Sequence, residues 1–518
     1  MKITSCTLVI SFLFYQGCYD TTTLTRQEFV VEGGQIDISV LTNEGKRYEF
    51  EEGKYQIVND SLSGVGIQKF RSPLSDRRFT GTISLANITL IETKELNPAK
   101  SVLLAGGIGL AVAGIIALTN GGGESSPPPP PTNSGGTKMS CPFIYTFDGS
   151  KYHLESETFA GAVLKGLERP AYDVLHHLKP VNGTCRLNLV NARQETEYVN
   201  ELKLIAVDHP TGTIIIPDGR GMMHTIRPPV FPTNCADYNG RSMLKEVAAK
   251  DNWYWETDLN ASGWTDSSNT REGLILEFAG QHQSKTMKLV VSGKNTDLGY
   301  FALAAIFQLK GDQKLAWQTQ LETNPAECAK FRRWLMREGM LHVSLWQNGK
   351  WMEKTALMDV GPGVRKDQVA VLDVSETTGS TIRIKLESTI GLWRVDQVYA
   401  DYSPDTSVRT SELSPKRAIN EHGQDVANLL AASDEKYYTT VSDQFADIVF
   451  DEAPRLPGTL RTYVAKTRGF YYQWLESKGR ANEPTVRRIL DEPGFGTRML
   501  MPQWLKQRAQ YQSVSDAH

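Results

Sequence analysis

Between Phe29 and about Asn97, apolar residues return at every second position. In IDISV, Ile36, Ile38 and Val40 share one face, and TISLANITLI repeats the pattern. The clusters TNEGK, NDSLSG and SPLSD interrupt these runs with turn-forming residues. Alternation at period two with such punctuation predicts short strands. About four or five of them over residues 31–98 predict a small antiparallel barrel of SH3 or Sm size. The pattern then changes. Val102 to Leu118 is uncharged and apolar, and Ala105, Gly109, Ala113 and Ala117 recur at every fourth position. This predicts a transmembrane helix over 101–118. Its small-residue face allows close packing and self-association. The segment GGGESSPPPPPTNSGGTK follows, a linker over 119–139 that places a stiff polyproline rod between flexible ends.

Period two resumes over 140–310. Leu187 and Leu189, Leu202 and Leu204, Leu274, Leu276 and Phe278, and Leu289 and Val291 alternate, with loops at PDGRG, DYNGR and SGKNTD. That grammar predicts a β-sandwich domain, with a short helix in GAVLKGLERPAYDVLHHL. A clearer helix starts at Asn324, a capping residue followed by Pro325 and Glu327, and stops at Gly339. MLHVSLWQNGKW then reads as strand, Asn348-Gly349 turn, strand. With DQVAVLDVS, STIRIKLES and GLWRVDQVYADYS, residues 311–405 form a helix plus a β domain that resembles jelly-roll modules of the galactose-binding or discoidin type. Additional strands follow over 406–475, including TYVAKTRGFYYQWL, and a peripheral helical tail over 476–518. The expected fold class is mainly β: a small SH3/Sm-like barrel, one Gly-rich transmembrane helix, then β-sandwich and jelly-roll domains with few helices.

The N-terminus MKITSCTLVISFLFYQGCYD has the layout of a secretory signal over 1–17. Its Gly17-Cys18 junction resembles the bacterial lipoprotein signal, which implies lipid attachment at Cys18. The threonine-rich segment to residue 30 reads as a flexible tether. A second likeness rests on longer stretches: SCPFIYTFDGSKYHLESETFAGAVLKGLERPAYDVLHHLKP, ETEYVNELKLIAVDHP, LWRVDQVYADYS and RTYVAKTRGFYYQWL. Over residues 140–475 these resemble an uncharacterised bacterial envelope or lipoprotein-type family. The resemblance implies an envelope address and carries no reaction.

Composition narrows the function classes. A net charge of -3 over 518 residues, with both signs interspersed, gives no basic footprint for nucleic acid. Six cysteines are too few for a disulfide scaffold. Cys141, Cys185, Cys235 and Cys328 leave three pairings open, while the alternation around Cys185 favours a buried free thiol. His176 and His177 are adjacent, so their side chains diverge, although His153, Asp173, Asp208 and His209 could join them in space. There is no HExxH, CxxC or GxSxG spacing, and no catalytic, metal or cofactor site is expected. The aromatic residues Trp253, Tyr254, Trp255 and Trp264, and the pair Trp346 and Trp351 beside the hairpin turn, offer either core packing or ligand stacking. Trp253, Trp255 and Trp264 are the candidate stacking residues, with Trp253 and Trp255 on one face. The expected protein is a membrane-anchored bacterial envelope protein that binds or scaffolds a protein or glycan partner, with its C-terminal half outside the cytoplasm. The alternatives are an envelope polysaccharide hydrolase using an acid pair in a sandwich groove, or a trans-membrane adaptor.

Overall fold

The computed structural model describes residues 19–23, 38–42, 46–51, 53–58, 61–69, 77–96, 142–257, 259, 268–280, 284–377 and 379–508. The chain divides into two compact units, Met1–Glu124 and Ser125–His518. The signal peptide, Cys18, the span with Ala105, Gly109, Ala113 and Ala117, the linker, and Trp264 lie outside the described residues. Among the described residues, no helix is long and apolar enough to cross a membrane.

The first unit is an antiparallel sheet. Its order runs Tyr19–Thr23, Ile88–Leu96, Ile38–Thr42, Arg47–Phe50, Ser61–Lys69; the last of these carries both Tyr55–Val58 and Arg77–Ser84. The alternating residues Ile38, Val40, Tyr48, Phe50 and Leu62 meet in its core. Two expectations change. TISLANITLI is two strands, because a 3-10 turn at Leu85–Asn87 separates them. Residues 19–23 of the expected tether form a strand against Ile88–Leu96; β-branched threonines suit a pleated edge as readily as a loop. The paired path is open among the described residues, so the observed form is a small β sheet unit.

The second unit contains two β-sandwiches, and they interleave in sequence. In the first, Arg417–Asn420, Phe445–Asp451, Thr184–Val190, Phe143–Phe147 and Tyr152–Glu157 form one sheet. Arg169–Leu175, Leu460–Gln473, Glu195–His209 and Arg409–Leu413 form the other, with Tyr438–Thr440 beside Glu195–His209. Cys185, Leu187, Leu189, Leu202 and Leu204 share the core between them. The second sandwich pairs Asn234–Asp237, Arg271–Ala279, Thr381–Thr389, Leu341–Gln347 and Lys350–Leu357 in one sheet with Lys366–Asp373, Thr286–Asn295 and Trp393–Asp401 in another. Leu274, Leu276, Phe278, Leu289 and Val291 fill its core. All of its strands lie between His209 and Arg409, two strand ends that belong to one sheet of the first sandwich. Strand partners therefore straddle the boundaries expected at 310 and 405. Alternation marks a strand and its buried face, but it does not name the partner.

Three helices follow one another at the junction: α1 (Leu298–Gln308), α2 (Lys314–Thr323) and α3 (Pro325–Gly339). The cap expected at Asn324 forms, its side chain accepting from the Ala326 and Glu327 amides. The short helix expected in GAVLKGLERPAYDVLHHL is instead a 3-10 turn at Lys165–Leu167 and the strand Arg169–Leu175. SGKNTD is not a loop up to Asn295, since Ser292–Asn295 complete a strand. The expected peripheral tail is also corrected. After a four-residue α4 (Ala427–Leu430), helices α5 (Glu483–Asp491) and α6 (Phe495–Gln507) close the chain. Val486, Ile489 and Leu490 of α5 enter the first core; Leu500, Met501 and Trp504 of α6 enter the second.

Candidate ligand-binding face

The five-stranded sheet of the second sandwich has one face in the core and one outside. Along Leu341–Gln347, the side chains of Leu341, Val343 and Leu345 are fully buried in the core, and the partly exposed His342 and Trp346 alternate with them on the other face. The Asn348-Gly349 turn fixes the register of the neighbouring strand. Both residues have positive φ, 51° and 75°, as a two-residue hairpin turn requires. Trp351 is thereby placed directly opposite Trp346. The indoles meet edge to face, with centroids 5.1 Å apart at 70°. The Arg383 guanidinium lies 5.2 Å from the Trp346 centroid and 5.5 Å from that of Trp351.

The rest of the face follows from register. Arg383 stands opposite Glu277, and Glu277 opposite Asn234. Arg383 Nε lies 3.5 Å from Glu277 Oε1, and Lys385 Nζ lies 3.1 Å from Glu387 Oε2. His342 Nδ1 is 3.0 Å from Glu353 Oε1. Gly273 faces Glu387 across the sheet, and Tyr238 lies over it to donate its hydroxyl to Glu387. A β-carbon at Gly273 would come within 2.1 Å of the Leu386 carbonyl oxygen and 2.9 Å of the Tyr238 hydroxyl. Burial opposes ionisation of Glu387, yet Tyr238 and Lys385 together hold its carboxyl below the ordinary value.

Of the three aromatics expected to stack ligand, Trp264 lies outside the described residues, and the other two differ in burial. Trp255 is a core residue whose amide and carbonyl bridge to Val395. Trp253 is 39% exposed. Only Trp253 is therefore open to solvent, and Trp255 is held inside. The signal for the better pair was the hairpin itself: aromatics flanking an Asn-Gly turn are cross-strand neighbours.

The acid-pair alternative requires two carboxyls that reach a groove. Glu157, Glu195 and Glu197 have no solvent exposure, and Glu272 is 5% exposed. Burial raises the Glu157 carboxyl to about 8, although it accepts from the Gly363 amide at 2.5 Å. Burial also raises Glu272 to about 8, against the Gly391 amide at 2.6 Å. Glu195 and Glu197 sit two apart on one strand and so face the same way. Burial first, and Glu195 second, drive the Glu197 carboxyl well above its ordinary range. Raised carboxyls are what an acid catalyst needs, but a glycosidase pair must flank a sugar. All four of these groups are buried, so none lines an open groove.

The histidines separate as well. His153 and His177 stack with centroids 4.2 Å apart at 6°, held by Asp148 (2.7 Å) and Glu155 (2.9 Å). Ring lone pairs lie in the ring plane, so two parallel imidazoles cannot aim at one ion. Asp208 pairs with Arg461, Asp173 with Lys366, and His209 with Thr213 and Thr462. Among the described residues no group of three His, Cys, Asp or Glu is arranged to hold a metal. Cys185, Cys235 and Cys328 are buried free thiols. No family model matches the chain, and no curated protein matches it.

Proposed function

We propose that the protein is a membrane-anchored cell-envelope protein that binds or scaffolds a partner through the outer face of its second sandwich. The observation that carries this reading is the Trp346–Trp351 pair clasped by Arg383 on an open sheet face. Aromatic and arginine side chains dominate binding surfaces because they combine apolar area with directed polarity. The signal-like N-terminus, Cys18 and the apolar run at 102–118 support the anchor. The spacing of Ala105, Gly109, Ala113 and Ala117 supports self-association, which would add avidity. The proline rod supports a second unit held away from the bilayer, which in this reading is outside the cytoplasm. Closure of the small β unit into a barrel belongs to this reading too; the 3-10 turn between Arg77–Ser84 and Ile88–Leu96 supports it.

Co-sedimentation of the detergent-solubilised full chain with purified bacterial cell-wall fragments tests the binding face. The expected result is that wild-type protein pellets with the fragments and Trp346→Ala/Trp351→Ala protein stays in the supernatant. Equal pelleting of a folded double variant would assign binding to another surface and overturn the proposal.

A further inference from the structure

The outer face has a direction. Trp351, Trp346, Arg383, Glu277 and Asn234 come one from each strand of the five-stranded sheet, and they form a single row across it. Register pairs Trp351 with Trp346, Arg383 with Glu277, and Glu277 with Asn234. The guanidinium of Arg383 bridges the two halves by lying against Trp346. At about 4.8 Å per strand spacing the row spans ~19 Å. It is aromatic at one end, and beyond the indoles it alternates donor and acceptor: guanidinium, carboxylate, amide.

The charge on the row is balanced. Arg383 and Glu277 lie side by side, and Asn234 directs its amide at Glu277 across 3.5 Å. The neighbouring cation Lys385 is likewise matched by Glu387. Lys354 of the edge strand is no exception, since its charge is felt by Asp373 on the opposite sheet. A polyanion laid along this row would be repelled by Glu277, and a polycation by Arg383. A hydroxyl is both donor and acceptor, so it can bridge each group in turn without burying a charge against a like charge. A pyranose ring also offers an apolar C–H face to an indole.

We propose that this row binds a linear, neutral, hydroxyl-rich polysaccharide lying across the strands, with a sugar ring at Trp351 and hydroxyls on Arg383, Glu277 and Asn234. The inference rests on the binding-face reading and narrows it to one ligand class.

Native gel electrophoresis of the full chain through gels containing a soluble β-glucan, a soluble mannan or polygalacturonate tests it. A neutral polymer is expected to retard the wild type, with little change at 0.5 M salt, as an uncharged ligand dictates. Trp351→Ala should weaken retardation about tenfold. Asn234→Ala, at an exposed position at the far end of the row, should weaken it by a smaller factor and keeps the test open if the tryptophan variant misfolds. Salt-sensitive retardation by polygalacturonate in place of the neutral polymers would overturn the ligand class, as would retardation unchanged in both variants. If no polysaccharide retards the protein while Trp346→Ala/Trp351→Ala still abolishes pelleting with cell-wall fragments, the neutral-glycan class falls and the binding face stands. If neither assay responds to the variants, both fall.

Discussion

At the residue scale, the most consequential side chains are the carboxyls the two sandwiches enclose. Glu157 sits where Gly361 and Gly363 press on it from the other sandwich; a β-carbon at Gly361 would lie 2.3 Å from its carboxyl carbon. Burial raises its pKa to about 8 from 4.5; Asp359 adds to the rise, while the Gly363 amide, Arg193 and Lys366 oppose it. In the unfolded chain the same group ionises near the lower value. Between these two values the folded state therefore holds the proton that the unfolded state has lost, so this group's contribution is full below pH 4.5 and declines as pH rises through 8. Glu157→Gln, which keeps an oxygen for the Gly363 amide, should raise the melting temperature at pH 8.5 and change it little at pH 4.5. The gain is a few kcal/mol at most, read by circular dichroism melts across that range. A melting difference that grows toward acid would refute the assignment. Glu195 and Glu197 share the side of Val199, and the register shift between Val199 and Glu201 puts that side in the same core as Leu202 and Leu204. That this side is interior was not legible, because a charged pair at period two ordinarily marks the wet face.

At the element scale, local chemistry was the reliable guide. Asn324 caps α3 with two amide contacts, Pro325 occupies the first turn, and Phe331 and Trp334 anchor the buried side. Asn324→Ala should cost about 1 kcal/mol and lower the melting temperature without altering the Trp346–Trp351 signature in near-ultraviolet circular dichroism. No change in melting would mean the cap contributes nothing to stability. The Asn348-Gly349 turn behaved the same way, since two residues at positive φ leave few alternatives. Helix α1 escaped notice for the opposite reason. LGYFALAAIFQ is apolar all round, so no single stripe betrays a helical period. Its two sides serve different cores: Leu298 and Phe301 the second, Leu303, Ile306 and Phe307 the first.

For the whole molecule, the C-terminal helices act as a clasp within the second unit. Phe301 of α1 and Trp504 of α6 pack with centroids 5.5 Å apart, and Trp504 is 3% exposed. A cavity of about 60 Å³ remains between Leu298, Ala302, Leu335, Leu392, Leu500 and Met501. Trp504→Ala should therefore destabilise the protein by about 3–5 kcal/mol, whereas a peripheral tail residue would change stability by less than ~0.5 kcal/mol. Differential scanning calorimetry separates the two, and a melting temperature equal to wild type would return α6 to the periphery. The same scale explains why the boundaries at 310 and 405 misled. Loop chemistry announces where a strand ends, while the partner of Glu195–His209 stands more than two hundred residues away, at Leu460–Gln473.

The sequence by itself determined the β class of the second unit, the alternating core positions of both sandwiches, the α3 cap and the Asn-Gly hairpin. Each is a property of neighbours along the chain, set by side-chain period and backbone freedom. Only the tertiary structure decided that one sandwich is inserted into the other, that α1 and α6 serve as core, and that Trp351, Trp346, Arg383, Glu277 and Asn234 form one row. Those outcomes depend on strand register and on which apolar faces cover each other, and the same local patterns are compatible with many such pairings.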